Sequence, residues 1–92
     1  MRYEWDPKKA EANRREHGVS FGDATSVFED DFALTREDPE AEGEQRFVTL
    51  GLGATGILLV VVYTYREPDI IRLISAWKAN KPQGTDYEKY RS

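Results

Sequence analysis

Few side chains in this 92-residue chain can do chemistry, and only one suits proton transfer at neutral pH. His17 is the single histidine, and an imidazole ordinarily changes charge at about pH 6.5. Arg46 and Arg72 stand among apolar residues in strand-like stretches, and Lys78 follows the second of them. An unpaired buried charge is costly, so an arginine on a strand must face water, a carboxylate or a ligand. Its planar fork also matches a phosphate, and each charge-assisted bond of that kind contributes about 1.5–3 kcal/mol. Tyr63, Tyr87 and Tyr90 either pack as amphipathic core residues or offer a ring to stack on and a phenol to donate. A second role is open to His17, because an imidazolium at a helix C-terminus gains roughly 0.3–1 kcal/mol from the helix dipole. Ser75 has no arrangement of partners around it that would make it a nucleophile. The acidic runs Glu29-Asp30-Asp31 and 37–44 lack the ligand types and spacing of a calcium loop and read as solvated.

The elements that must position these groups can be read along the chain. Met1 to Trp5 suits a short first strand. Asp6 caps a helix over Pro7–His17, with Pro7 in the first position, where a missing N–H costs nothing. Gly18 supplies the left-handed residue that ends it, and Ser20 with Asp23 forms the capping box of a second helix over Phe21–Phe28. From Phe32 the period changes to two, giving strands over 32–36, Gln45–Leu52, Ile57–Tyr65 and Ile70–Ala76. In the second of these, Phe47 and Thr49 take one side while Arg46, Val48 and Leu50 take the other. The apolar run of the third marks a central strand buried on both faces. A short final helix is expected over Asp86–Arg91. The order is β-α-α-β-β-β-β-α, an α+β fold in one domain spanning residues 1–92.

Composition narrows the classes further. There is no cysteine, so disulfides and thiolate metal sites are excluded. The longest apolar run, Ile57–Val62, is far shorter than the roughly 20 residues of a membrane span, and no signal-peptide pattern opens the chain. A soluble cytoplasmic protein with no membrane association is expected. The net charge of −4 is unevenly distributed. Residues 19–50 carry two Lys/Arg against nine Asp/Glu, whereas the segments on either side are slightly basic. This balance argues against the broad basic footprint of a general nucleic-acid binder.

Several short motifs stand in a telling order: Glu4-Trp5-Asp6, Asn13, His17-Gly18-Val19-Ser20-Phe21, Phe28, Arg46-Phe47, Leu50-Gly51, Leu58–Tyr63 and Arg72-Leu73-Ile74-Ser75-Ala76. Together they resemble the BrnT toxin family over nearly the whole chain. The resemblance implies a RelE-like fold, with two N-terminal helices on a mainly antiparallel four- to five-stranded sheet and a short C-terminal helix. It also implies the toxin of a type II toxin–antitoxin system, a metal-independent ribonuclease without cofactors that inhibits translation. The implied partner is a BrnA-like ribbon-helix-helix antitoxin. It would bind operator DNA with the toxin as co-repressor, in a heterotetramer built on an antitoxin dimer.

Metal-free RNA cleavage needs a base for the 2′-OH proton, an acid for the leaving oxygen and cations for the developing charge. On that reading His17, Arg46, Arg72 and Lys78 are the catalytic candidates, and Tyr63, Trp77 and Tyr87 the substrate-binding ones. The chain departs from the family at three places. Glu16 replaces a usual Lys before the His-Gly pair. Trp77 follows Ser75-Ala76 where an Arg is usual. Pro82-Gln83-Gly84-Thr85-Asp86 interrupts the charged tail. These changes leave a second reading open, a catalytically weakened homologue acting mainly as an antitoxin-binding co-repressor. Trp77 would then anchor the antitoxin instead of stacking on a base.

Overall fold

The capping signals at the N-terminus shape the chain locally. In the computed structural model, which describes residues 1–91, the Asp6 carboxylate accepts the Lys8 N–H at 2.9 Å and opens helix α1 (Pro7–His17). Gly18 takes a φ of 71° and donates its N–H to the Arg14 carbonyl at 2.8 Å, which ends the helix. Two residues later Ser20 Oγ accepts the Asp23 N–H at 3.0 Å and starts α2 (Phe21–Ala24), which tightens into a 3-10 turn over Thr25–Glu29. The second helix is therefore shorter as an α-helix than its periodicity suggests.

The strands are β1 (Arg2–Glu4), β2 (Leu34–Glu37), β3 (Phe47–Leu52), β4 (Leu58–Arg66) and β5 (Ile70–Lys78). They form one sheet in the order β1-β5-β4-β3-β2, antiparallel throughout except for the parallel β1–β5 pair. The expected α+β architecture is the one observed. Phe32, expected to begin a strand, stays in the preceding turn because the Asp30 carboxylate takes its N–H at 2.9 Å. The last helix, α3 (Lys81–Arg91), is longer than expected. Asn80 Oδ1 accepts the Gln83 N–H at 2.9 Å and Gln83 Oε1 accepts the Asn80 N–H at 2.8 Å. That reciprocal cap starts the helix early, and Pro82 is tolerated because it falls in the first turn.

Alternation along the strands gives the sheet two faces. Phe21, Ala24 and Val27 pack against Leu59, Val61, Tyr63, Ile71, Leu73 and Ala76, and these residues form the core between the helices and one face. Burying one such large side chain stabilises the fold by roughly 1.5–3 kcal/mol. Gly51 lets the 3-10 turn come close, because a Cβ there would lie 3.1 Å from Val27 Cβ and 3.3 Å from Ala33 Cβ. The other face carries Val48, Leu50, Val60 and Val62, and α3 crosses part of it.

The β4–β5 ladder shifts register by one between Val62 and Tyr63. Tyr63 faces Leu73 while Val62 faces Ser75, so Ile74 is the extra residue of a bulge. Among the described residues no helix is long and apolar enough to cross a membrane.

Candidate active site

Strand β1 reaches only as far as Glu4, opposite Arg72, which leaves the remaining outer edge of β5 without a strand partner. Asn13, the one buried residue of α1, takes that place. Its Oδ1 accepts the Ala76 N–H at 3.1 Å and its Nδ2 donates to the Ala76 carbonyl at 2.8 Å, with a second bond to the Val19 carbonyl at 3.1 Å. A side-chain amide has the donor and acceptor of a peptide unit, so Asn13 continues the ladder where the backbone partner ends. The sequence shows Asn13 only as a motif residue; its edge-capping role needs the strand that lies far along the chain.

This clamp fixes the end of α1 against the end of β5. His17 is exposed, and its ring centroid lies 6.0 Å from that of Trp77 with the planes inclined by 43°. Glu16, His17, Trp77 and Lys78 line one shallow, open depression of about 580 Å³. Three of the candidates from the sequence thus come together, with Glu16 adding a carboxylate to the same wall.

The arginines form a second group. Arg72 pairs across the ladder with Thr64, and Trp77 pairs with Val60, so both project from the face opposite α1 and α2, the one α3 partly crosses. They are five residues apart, a spacing that alternation alone would send to opposite faces, and the bulge at Ile74 brings them to one side. Their partners Thr64 and Val60 are four steps apart, so at about 3.3 Å per residue the two lie roughly 13 Å apart along β5. The Arg72 guanidinium donates to Glu4 Oε2 at 2.7 Å. Arg46 stands one step before β3, where the ladder continues through the Asp38 N–H to the Arg46 carbonyl at 2.8 Å. Its Nε lies 3.3 Å from Glu44 Oε1, and Arg66 approaches the other oxygen of Glu44 at 3.4 Å. Arg46 and Arg72 are therefore near neighbours at one end of the open face, with Arg66 joining them as a cation the sequence did not single out. His17 and Trp77 hold the other end, while Lys78, across the ladder from Leu59, alternates to the helix side there.

The two tyrosine candidates are placed elsewhere. Tyr63 is only 2% exposed and projects into the core under the helices. Its phenol joins Thr49 Oγ1 at 2.8 Å, which in turn joins Thr35 Oγ1 at 2.8 Å, and burial pushes its pKa up. Tyr87 is 1% exposed and ties α3 to the sheet by donating to Asp30 Oδ2 at 2.5 Å. Burial and the Asp30 carboxylate push that phenol up to about 12. Neither ring offers a surface for a substrate to stack on. The expectation of substrate-binding tyrosines at 63 and 87 is corrected accordingly: both positions carry packing and hydrogen bonds.

Asp30 is likewise not the solvated acid its run suggested. It accepts the Leu52 N–H at 2.9 Å as well as the Phe32 N–H and the Tyr87 phenol. Burial alone would raise its pKa, but those hydrogen bonds and the charge of Arg91 hold it below the ordinary value. No local signal in the sequence announces this junction, because only the Phe32 N–H is a neighbour while Leu52 and Tyr87 come from distant elements.

Comparison with known proteins adds a family and a fold. The family described as "Ribonuclease toxin, BrnT, of type II toxin-antitoxin system" matches residues 5–82. That span includes His17, Arg46, Arg72, Trp77 and Lys78 and stops short of Tyr87. The crystal structure of the ribonuclease toxin BrnT from Brucella abortus superposes with a TM-score of 0.68 at 22% sequence identity, covering 88% of this chain and 99% of that one. Curated proteins yield no match.

Proposed function

Because the chain belongs to the BrnT family of type II toxin–antitoxin ribonuclease toxins, we propose that it cleaves RNA across the open face of the sheet, between the arginine end and the His17–Trp77 end. The observation that carries this reading is the shared face of Arg72 and Trp77, with His17 reaching the Trp77 ring. A ribose-phosphate chain laid along β5 would meet a guanidinium at one end and a ring with an imidazole at the other. His17 serves as the proton-transfer group for the 2′-OH or the leaving oxygen, a role that ordinarily contributes 10²–10⁴-fold. Lys78, which lines the same depression from the end of β5, offsets the charge that develops on phosphorus there. Trp77 holds a base by stacking, worth about 1–3 kcal/mol. Arg72 exchanges Glu4 for phosphate at little cost, because a partly exposed ion pair contributes about 1 kcal/mol or less.

RNA loss would stop translation, without need of a metal, in the cytoplasm. Neutralisation falls to a BrnA-like ribbon-helix-helix antitoxin, and the complex, a heterotetramer around an antitoxin dimer, represses its own operon. A second reading has its own support: Arg46, Arg66 and Arg72 are each paired to a glutamate and Glu16 stands beside His17. Such neutralised cations favour a weakened enzyme that acts mainly as an antitoxin-binding co-repressor.

One experiment separates the two. The chain is induced alone in a bacterial host, with growth and total RNA followed beside His17→Ala and Arg72→Ala variants shown to be folded. Arrest with RNA decay that either variant relieves supports the ribonuclease. Normal growth with soluble, folded wild-type protein sinks it and leaves the co-repressor.

A further inference from the structure

The helix-side face of the sheet is left uncovered at the end that carries the arginines on its reverse. There the rings of Tyr3 and Phe28 stack with centroids 5.6 Å apart, and Phe28 meets Tyr63 edge-on at 4.8 Å. Phe47 continues the cluster to Tyr63 at 5.8 Å and to Tyr65 at 5.3 Å. Tyr63 is the buried floor, but Tyr65 is 49% exposed and Tyr3, Phe28 and Phe47 are only half-buried.

Carboxylates border this platform. Glu29 follows Phe28 and, with burial, pushes the Tyr3 phenol up. Glu37 stands directly across the ladder from Phe47, where its carboxylate accepts from Gln45. Glu67 and Asp69 lie in the adjoining turn between β4 and β5. The cations of this end project from the opposite face: Arg36 pairs with Val48, Arg2 and Arg66 with Ile70, and Arg72 with Thr64, while Arg46 precedes Phe47 in the alternation.

The faces of aromatic rings are electron-rich, and the carboxylates add to that field. A phosphate chain would be repelled from such a surface, whereas a guanidinium or ammonium gains from both components. We propose that this aromatic face docks a basic polypeptide segment, one whose arginine or lysine stacks on Tyr65 and Phe47 while neighbouring cations pair with Glu29 and Glu37. The strongly acidic stretch 19–50 draws such a segment in. The inference does not rest on RNA cleavage, which uses the other face.

The test is fluorescence anisotropy of the whole chain with three labelled probes: a short arginine-alternating peptide, its glutamate-alternating counterpart, and a single-stranded RNA oligomer. The arginine peptide is expected to bind and the glutamate peptide not to. Tyr65→Ala is expected to weaken binding by about three- to tenfold, and Tyr65→Leu, which keeps apolar bulk without the ring, to do the same. Glu29→Gln with Glu37→Gln weakens it comparably, while Glu11→Gln with Asp86→Asn, an equal loss of charge on α1 and α3, leaves it in place. Equal weakening by both charge pairs would reduce the effect to net charge and overturn the proposal. Full affinity in both Tyr65 variants, with unchanged melting temperature, would overturn it too. RNA binding that depends on Tyr65 would give the face to nucleic acid instead.

Discussion

At one end of the sheet the same strands present two opposed chemistries. Looking away from the helices, Arg46, Arg66 and Arg72 gather around Glu4 and Glu44; looking toward them, Tyr3, Phe28, Phe47, Tyr63 and Tyr65 form a ring cluster bordered by Glu29 and Glu37. Neighbours in sequence are thus divided between the faces: Arg46 from Phe47, Tyr65 from Arg66. The period of two does this sorting, and the buried helix-side face tells which set turns inward. Chemistry of the two faces should therefore separate on mutation, with cleavage on one and packing on the other.

The largest expected separation comes from the open face. His17→Ala should lower RNA cleavage by about 10²–10⁴-fold, while the melting temperature stays within a degree or two of wild type, as read by a gel assay beside thermal unfolding. An equal fall in both would merge the faces and break the comparison. On the other face Phe28→Ala should do the reverse, costing about 2–4 kcal/mol in chemical denaturation because it opens a gap beside Tyr3 and Tyr63. Cleavage by the fraction still folded should be unchanged.

Next in size is the junction that holds α3. Tyr87→Phe removes a hydrogen bond to a carboxylate and should cost about 1.5–3 kcal/mol. Its pH dependence follows from the two shifts. The Asp30 carboxyl lies below its ordinary 3.8, so its contribution is present above that pH and is lost as pH falls through the folded value. The Tyr87 phenol is raised from 10.0 to about 12, so its contribution is present below pH 10 and is lost as pH rises toward 12. Melting temperature measured against pH should fall at both limits in the wild type. Asp30→Asn should flatten the acid limb. The smallest effect is expected from Glu4→Gln, which should change stability by less than about 1 kcal/mol and leave cleavage equal to wild type or up to about threefold higher as Arg72 is freed. A marked loss of cleavage instead would mean that the ion pair positions Arg72 for substrate.

What could be read in the sequence was what is encoded locally. Asp6-Pro7, His17-Gly18 and Ser20-x-x-Asp23 each carry their own cap, and the inside-outside alternation of Phe47, Thr49, Arg46 and Val48 follows from pattern alone. The tyrosines could not be sorted that way, because Tyr63, Tyr65 and Tyr87 differ only in what packs over them. Asn13 and Asp30 were similarly opaque, since each satisfies backbone groups that belong to elements far along the chain. The candidate residues were legible as residue types but not as a group: that His17, Trp77 and Lys78 line one depression, and that Arg46 lies toward Arg72, depends on strand order and on the Asn13 clamp.

The bulge at Ile74 absorbs one residue of chain without changing what the two ends of β5 present. Its side chain matters less than its being left out of the pairing. Were Ile74 drawn into the ladder with the chain length unchanged, strict alternation would send Trp77 under the helices, into the space that now admits only the methyl of Ala76, and turn that methyl out to solvent. Deleting Ile74 instead leaves Arg72 and Trp77 four apart and on one side, so the proposed cleavage face should outlast a one-codon deletion that a regular strand could not absorb.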